Sequence, residues 1–357
     1  MKTQLTRRET LLAAAAAALV AGEAHAQAPE IAPLKRFAFG ACARENKDQP
    51  IWDEVLKTAP ELFVFLGDNV YGDTHDPAEL RAKYAALAAK PGFQKLKAST
   101  PTLAIWDDHD YGKNDSGADH PTKNESRAAF CDFWEEPADS PRRTQEGGIF
   151  TSTIIGPPGQ EVQFILPDLR WNRTKLRRPG GFPLVAGTWI AGQIFRGAEV
   201  KGPYRPSRDE TATMLGEAQW AWLEAEFAKP AALRVFGSSL QVLARGSGWE
   251  AWENFPKDAA RLEKLIGDAS NVVILSGDVH YGELTKSDRA NAPPLWELTS
   301  SGITESDPSL INCRRVAVYD KGPNFGVIDI DWAARSVKLQ VMDEHGATRI
   351  EKIAPFA

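Results

Sequence analysis

The chain has 357 residues and a formal net charge of −6, with 25% charged and 43% hydrophobic residues, an ordinary globular composition. That mildly acidic balance gives no support to nucleic-acid or anionic-membrane binding, which favour basic patches, so no nucleic-acid-binding domain is expected. Cys42, Cys131 and Cys313 are too few, and odd in number, for the disulfide framework of a small exported protein.

In chain order, the first element is a targeting segment. Met1–Arg8 is charged, Leu11–Ala21 is a short apolar run, and Ala24-His25-Ala26 is a small-residue cleavage site. Thr6-Arg7-Arg8-Glu9-Thr10-Leu11-Leu12 is a twin-arginine pattern, so residues 1–26 are expected to be read by the twin-arginine export machinery. The expected location is periplasmic or secreted. The apolar run is too short to span a bilayer and no second long one follows, so no membrane anchor is expected in the mature chain.

Residues 27–357 show no linker and no repeat, and are read as a single domain. Strands are predicted at Arg36–Ala41, Leu62–Gly67 and Leu103–Trp106, with helices at Ile51–Ala59, Pro77–Ala89 and Glu125–Trp134. Asp76 is placed to cap the second of these helices. Phe150–Ile155 and Glu161–Leu166 flank Gly156-Pro157-Pro158-Gly159 and read as a hairpin. Glu217–Phe227 and Asp258–Ile266 read as helices. Leu233–Phe236, Val272–Leu275, Leu295–Leu298, Gly326–Asp331 and Val337–Met342 read as strands. Helices alternating with strands, followed by late hairpin-like strands, predict an α/β fold with mixed sheets.

Three of the predicted strands end in costly polar groups. Leu62–Asp73 (LFVFLGDNVYGD), Leu103–Tyr111 (LAIWDDHDY) and Asn271–Tyr281 (NVVILSGDVHY) each pass from an apolar run into carboxylates or histidine. Such groups are buried only when paired or metal-bound. Sites in open α/β sheets form where strand carboxyl ends converge. Asp68, Tyr71, Asp107, Asp108, His109, Asp278 and His280 together therefore suggest one polynuclear metal site.

These segments resemble the PhoD-type alkaline phosphatases and phosphodiesterases, within the calcineurin-like metallophosphoesterases. The resemblance rests on Phe39-Gly40-Ala41-Cys42, Gly67-Asp68-Asn69-Val70-Tyr71, Trp106-Asp107-Asp108-His109-Asp110 and Asp168-Leu169-Arg170. Leu215-Gly216-Glu217 with Trp222-Leu223, Gly277-Asp278-Val279-His280 and Asn324-Phe325-Gly326 complete it. It spans roughly residues 35 to 335. It implies a four-layer α/β/β/α sandwich with metals at the edge between the sheets.

The resemblance also implies roles. Asp68 takes the place of a carboxylate bridging two metals, and Cys42 that of a thiolate ligand to iron. Tyr71 would add a phenolate, which selects iron(III). Asp108 stands where related enzymes carry asparagine, and Asp278 where they carry histidine. Both changes move the set toward oxygen ligands, which suits calcium. Other divalent metals are alternatives. His280 is a ligand or a neighbour of the ligands, and His109 is the general acid. Arg170 binds a substrate oxygen or pairs with Asp168. The residues leave Cys42 open as a core cysteine, Tyr71 as a hydrogen-bonded core tyrosine and Asp107 as a structural group.

The implied activity is metal-dependent hydrolysis of small phosphomonoesters, phosphodiesters or both, serving phosphate scavenging. Two alternatives stand beside it: a purple-acid-phosphatase-like iron/zinc enzyme, and a non-catalytic periplasmic protein that binds metal or phosphate.

Overall fold

The computed structural model describes residues 32–179 and 201–356. The targeting segment read at residues 1–26 lies outside the described residues. Among the described residues thirteen strands are present: β1 (Arg36–Gly40), β2 (Phe63–Leu66), β3 (Thr102–Ile105), β4 (Thr151–Ile155), β5 (Val162–Leu166), β6 (Leu233–Gly237), β7 (Val272–Ser276), β8 (Gly282–Ser287), β9 (Leu295–Ser300), β10 (Arg315–Tyr319), β11 (Asn324–Asp331), β12 (Ser336–Asp343) and β13 (Thr348–Pro355). Seven α-helices connect them: α1 (Ile51–Lys57), α2 (Pro77–Ala88), α3 (Pro91–Ser99), α4 (Asp108–Tyr111), α5 (Lys123–Phe133), α6 (Gly216–Phe227) and α7 (Pro256–Ile266).

The strands form two mixed sheets. One is six-stranded, in the order β13-β12-β11-β1-β2-β3; the other is seven-stranded, in the order β10-β8-β9-β7-β6-β5-β4. In the first, β1, β2 and β3 run parallel. In the second, β5, β6, β7 and β9 run parallel. Crossover helices between parallel strands must lie on sheet faces. The expected fold class is thus found.

The two-residue period of the strands separates the layers. Phe164, Val235, Val273 and Leu275 face the first sheet, where the rings of Phe37 and Phe164 meet edge to face at 5.1 Å. The intervening Ile165, Phe236 and Ile274 point the other way, onto Trp220 and Leu223 of α6 and Leu262 and Ile266 of α7. On the far side of the first sheet, Phe63 and Phe65 pack on Trp52 of α1 and Phe65 on Phe93 of α3. The result is helix, sheet, sheet, helix. Asp76 caps α2 by accepting the Ala78 amide at 2.8 Å.

Five elements escape the sequence pattern, among them the single-turn helix α4. Helix α3 starts at Pro91-Gly92, a pair that reads as a breaker, yet proline at the first helical turn is compatible with a start. Strand β8 buries Glu283 and Thr285, so its alternation carries no hydrophobic signal. Strands β10 and β13 are sheet edges with half-exposed faces. Among the described residues no helix is long and apolar enough to cross a membrane.

Candidate metal centre

Both sets of parallel strands end at the same place. Cys42 follows β1, Asp68 follows β2, Asp107 and Asp108 follow β3, Asp278 follows β7, and His280 precedes β8. The backbone must turn sharply there. Cys42, Asp68, Asp278 and His280 all take left-handed conformations, with φ of 63°, 50°, 73° and 62°. Such φ values are costly for residues with a Cβ and tend to gather at functional sites. Gly67, with φ 101°, lets the chain pass close to β3, since a Cβ there would fall 2.5 Å from that of Asp107. Gly277 brings β7 against the first sheet, where a Cβ would lie 2.7 Å from the Ala41 Cβ.

Four overlapping donor groups result among the described residues, each with its ligand atoms within 4.8 Å of one another: Cys42, Asp68 and His280; Asp68, Asp108 and His109; Asp107, Asp108 and Asp278; and Asp108, Asp115 and Glu250. Tyr71 joins the first group, its hydroxyl 3.0 Å from His280 Nε2. All the metal-site residues read from the sequence are therefore brought together. Asp68 belongs to two of the groups.

The carboxylates are buried and crowd one another. Burial, then the nearby aspartates, push Asp68 well above the usual range, against the pull of His109. Burial and Asp107 do the same to Asp278. Asp107 is raised to about 6, again chiefly by burial, with Arg170 opposing. Burial works against ionisation of Asp108 too, yet Arg170 and His109 hold it below the ordinary carboxylate value. Burial and the Asp68 charge raise the Cys42 thiol.

Asp107 bears on whether these residues fit a cation. Its Oδ1 accepts from Arg170 Nε at 2.5 Å and from Ser239 Oγ at 2.7 Å. Its Oδ2 is buried with no hydrogen-bond partner. A buried carboxylate oxygen left bare, beside Asp108 and Asp278, is what a hard cation's ligand looks like. The donor set fits a metal ion, and Asp107 offers it a bare oxygen.

The other residues fall into place around this group. Burial alone would lower His109, but Asp108, Asp68 and Asp73 raise it to about 11. Its Nδ1 lies 2.7 Å from Asp73 Oδ1. Arg170 is fully buried. Its Nη1 binds Glu250 at 2.9 Å and its Nη2, without a hydrogen-bond partner, stands 3.8 Å from Asp108 Oδ1. Asp168 does not pair with this guanidinium. It accepts instead the amides of Ile149, Arg170 and Trp171. The basic run after Arg170 splits: Arg173 is buried on Glu250, while Arg178 binds Asp115 at the surface. Cys131 is a buried core residue, Cys313 is exposed, and neither is in a disulfide.

Sequence reasoning missed Asp73, Glu250 and Asp307. Asp73 lies inside the Gly67–Asp73 motif and could have been found there. Asp307, whose Oδ2 is 2.7 Å from His280 Nδ1, sits in a loop with no pattern. Asp110 stands directly after His109. It secures the loop, accepting the amides of Asp107 and Asn69.

The family model described as PhoD-like phosphatase matches residues 37–352. A solved structure titled "Structure of PhoD" is 18% identical with a TM-score of 0.65, covering 91% of this chain and 69% of its own. A dimetal phosphatase from Danio rerio is 13% identical with a TM-score of 0.56, covering 91% of this chain and 100% of its own. GAP50, the anchor in the inner membrane complex of Plasmodium, is 10% identical with a TM-score of 0.52, covering 90% and 89%. These structures share the fold. No curated protein sequence matches the chain.

Proposed function

The chain belongs to the PhoD-like phosphatase family and is a metal-dependent phosphoesterase, and we propose that it is exported and frees phosphate from small phosphomonoesters, phosphodiesters or both. One observation carries the reading of the site: Asp68 is shared between the donor group of Cys42 and His280 and that of Asp108 and His109. A single carboxylate in both is placed to bridge two ions.

Cys42, Tyr71, His280 and Asp68 would hold iron(III), since thiolate and phenolate favour it. Asp68, Asp107, Asp108 and Asp278 would hold calcium, which takes oxygen ligands in flexible geometry. Other divalent metals suit the oxygen group as well. Bound ions would supply hydroxide at neutral pH and positive charge for the phosphoryl oxygens.

The remaining chemistry belongs to the chain. Asp73 holds His109 through Nδ1, which leaves Nε2 to give a proton to the departing alkoxide. The Asp73 carboxylate at Nδ1 favours the protonated ring. Arg170 is clamped by Asp107 and Glu250, so its Nη2 offers a fixed hydrogen to a phosphoryl oxygen beside Asp108.

Metal analysis of the purified protein, with p-nitrophenyl phosphate and bis(p-nitrophenyl) phosphate as paired substrates, tests the reading. Iron and calcium with turnover of either ester support it. Zinc alone would remove the iron–calcium assignment, and no turnover of any ester with metal bound would favour a binding protein. Export is supported by the Arg7-Arg8 pair. Exchanging both for lysine should strand the protein in the cytoplasm, and unaltered export would rule out the twin-arginine route. The phosphate-scavenging role rests on export and on the phosphoesterase assignment together.

A further inference from the structure

Ser301 connects the two sheets at the metal centre through one hydroxyl. It follows β9 and is fully buried, as Cys42 is. The backbone N–H of His280 donates to Ser301 Oγ at 3.0 Å. An amide nitrogen can only donate, so the serine oxygen is the acceptor in that contact. The same oxygen lies 3.1 Å from Cys42 Sγ. Either atom could donate in that contact while Cys42 keeps its proton, but a thiolate can only accept, and the serine then gives its one proton to sulfur.

The other groups around the sulfur cannot replace it. Asp68 Oδ2 at 3.4 Å and the Asp278 carbonyl at 3.8 Å are acceptors. Tyr71 also reaches the sulfur, but a tyrosine that ligates a metal has lost its proton. Ser301 is therefore the one donor here, among the described residues, that survives metal binding. It is also held in place. The Ile303 amide donates to the Ala41 carbonyl and the Thr304 amide to the Cys42 carbonyl, both at 3.1 Å, which fastens the loop after Ser301 across the Cys42 turn.

We propose that Ser301 is a positioning residue that donates a hydrogen bond to the Cys42 thiolate and so sets how strongly the sulfur donates to its metal. Hydrogen bonds to a ligating sulfur tune the metal's electronics and potential. The same hydroxyl, through the His280 amide, keeps two ligand-bearing turns from different sheets in register. This inference rests on Cys42 being a metal ligand, as proposed above.

The test uses the full protein loaded with cobalt(II), whose sulfur charge-transfer band reports thiolate ligation whichever metal the cell supplies. Ser301→Ala should move that band to longer wavelength at equal metal content, because an unbonded sulfur donates more readily. The wild-type metal–sulfur stretch should shift on transfer to D₂O, since the proton on Ser301 exchanges, and Ser301→Ala should abolish that shift. Cys42→Ser should remove the band. A wild-type stretch insensitive to D₂O, or an unmoved band in Ser301→Ala while Cys42→Ser loses it, would overturn the role of Ser301 and leave Cys42 as a ligand. A band unchanged in Cys42→Ser would overturn the ligand assignment and the inference together. The D₂O measurement on wild type decides the question even if Ser301→Ala does not fold.

Discussion

His109 Nδ1 and Asp73 Oδ1 stand 2.7 Å apart, and Asp73 also accepts the Asn114 amide at 3.1 Å. Asp73 itself is held in a left-handed conformation, φ 48°, at the end of the Gly67–Asp73 turn. The carboxylate thus fixes both the tautomer and the direction of the imidazole. The ring of Tyr71 lies against that of His109, centroids 4.3 Å apart, closing its other side.

This relationship separates chemistry from positioning. His109→Ala should keep its metal and lose turnover on the order of 10²–10⁴-fold, the usual scale of acid–base catalysis. The loss should shrink for esters with good leaving groups, which need less protonation. Asp73→Asn should lose less, roughly 10–100-fold, with the same dependence on leaving group. A loss in His109→Ala that is equal across leaving groups would rule out the general-acid role.

Asp68→Ala should abolish activity and lower bound metal. Asp68 is the one carboxylate placed in both the Cys42–His280 group and the Asp108–His109 group, so no neighbour replaces it. Full metal content with near-normal turnover in this variant would sink the two-ion site.

Gly67 is where the backbone must come closest. Its φ of 101° and the 2.5 Å approach of an added Cβ to the Asp107 Cβ leave alanine no room. The backbone strain alone should cost about 1–3 kcal/mol, and the clash displaces Asp107. Gly67→Ala should therefore show a lowered urea midpoint together with weaker metal binding. Unchanged values of both would mean that the strand ends need not approach so closely.

The site was legible because apolar runs ending in Gly-Asp or Asp-Asp-His are hard to satisfy in any other way. Local pattern placed Cys42, Asp68, Asp108, Asp278 and His280 at strand ends, and the strands brought them together. What it could not show is partnership across long separations. Glu250 meets Arg170 from a loop after β6, and Asp307 meets His280 from a loop after β9; neither stands in a periodic segment. The same limit hid β8, whose Glu283 and Thr285 are buried against Gln241 and Asn312 rather than against apolar side chains. Asp107 was left open for a further reason. Only the coordinates show that one of its oxygens is engaged by Arg170 and Ser239 while the other is bare.

Metal identity gives a prediction that colour can check. Charge transfer from Tyr71 or Cys42 to iron(III) should make the protein purple or brown. Calcium in the oxygen-rich group should leave first, because flexible carboxylate sites bind it less tightly. A mild chelator should then stop activity while the colour stays, and added calcium should restore it. Simultaneous loss of colour and activity, with no rescue by calcium, would count against two distinct ions.

Acid stability should depend on His120, which lies away from these ligands. Its ring stacks on that of His75 with centroids 5.1 Å apart, and it is buried against Gly112. Burial first, and the His75 charge second, lower it to about 4 from the ordinary 6.5. Between those values the unfolded chain binds a proton that the folded chain refuses. Stability therefore rises with pH through this window; the His120 contribution is full above pH 6.5 and is lost as pH falls toward 4. The loss should be on the order of 3 kcal/mol. His120→Gln keeps a polar group of similar size without a titrating proton. Its urea midpoint should fall less than that of wild type between pH 6.5 and 4, and the two should respond alike above that range. Parallel curves throughout would show that His120 accepts its proton in the folded chain as readily as in the unfolded one, and that the His75 stack is no barrier to it.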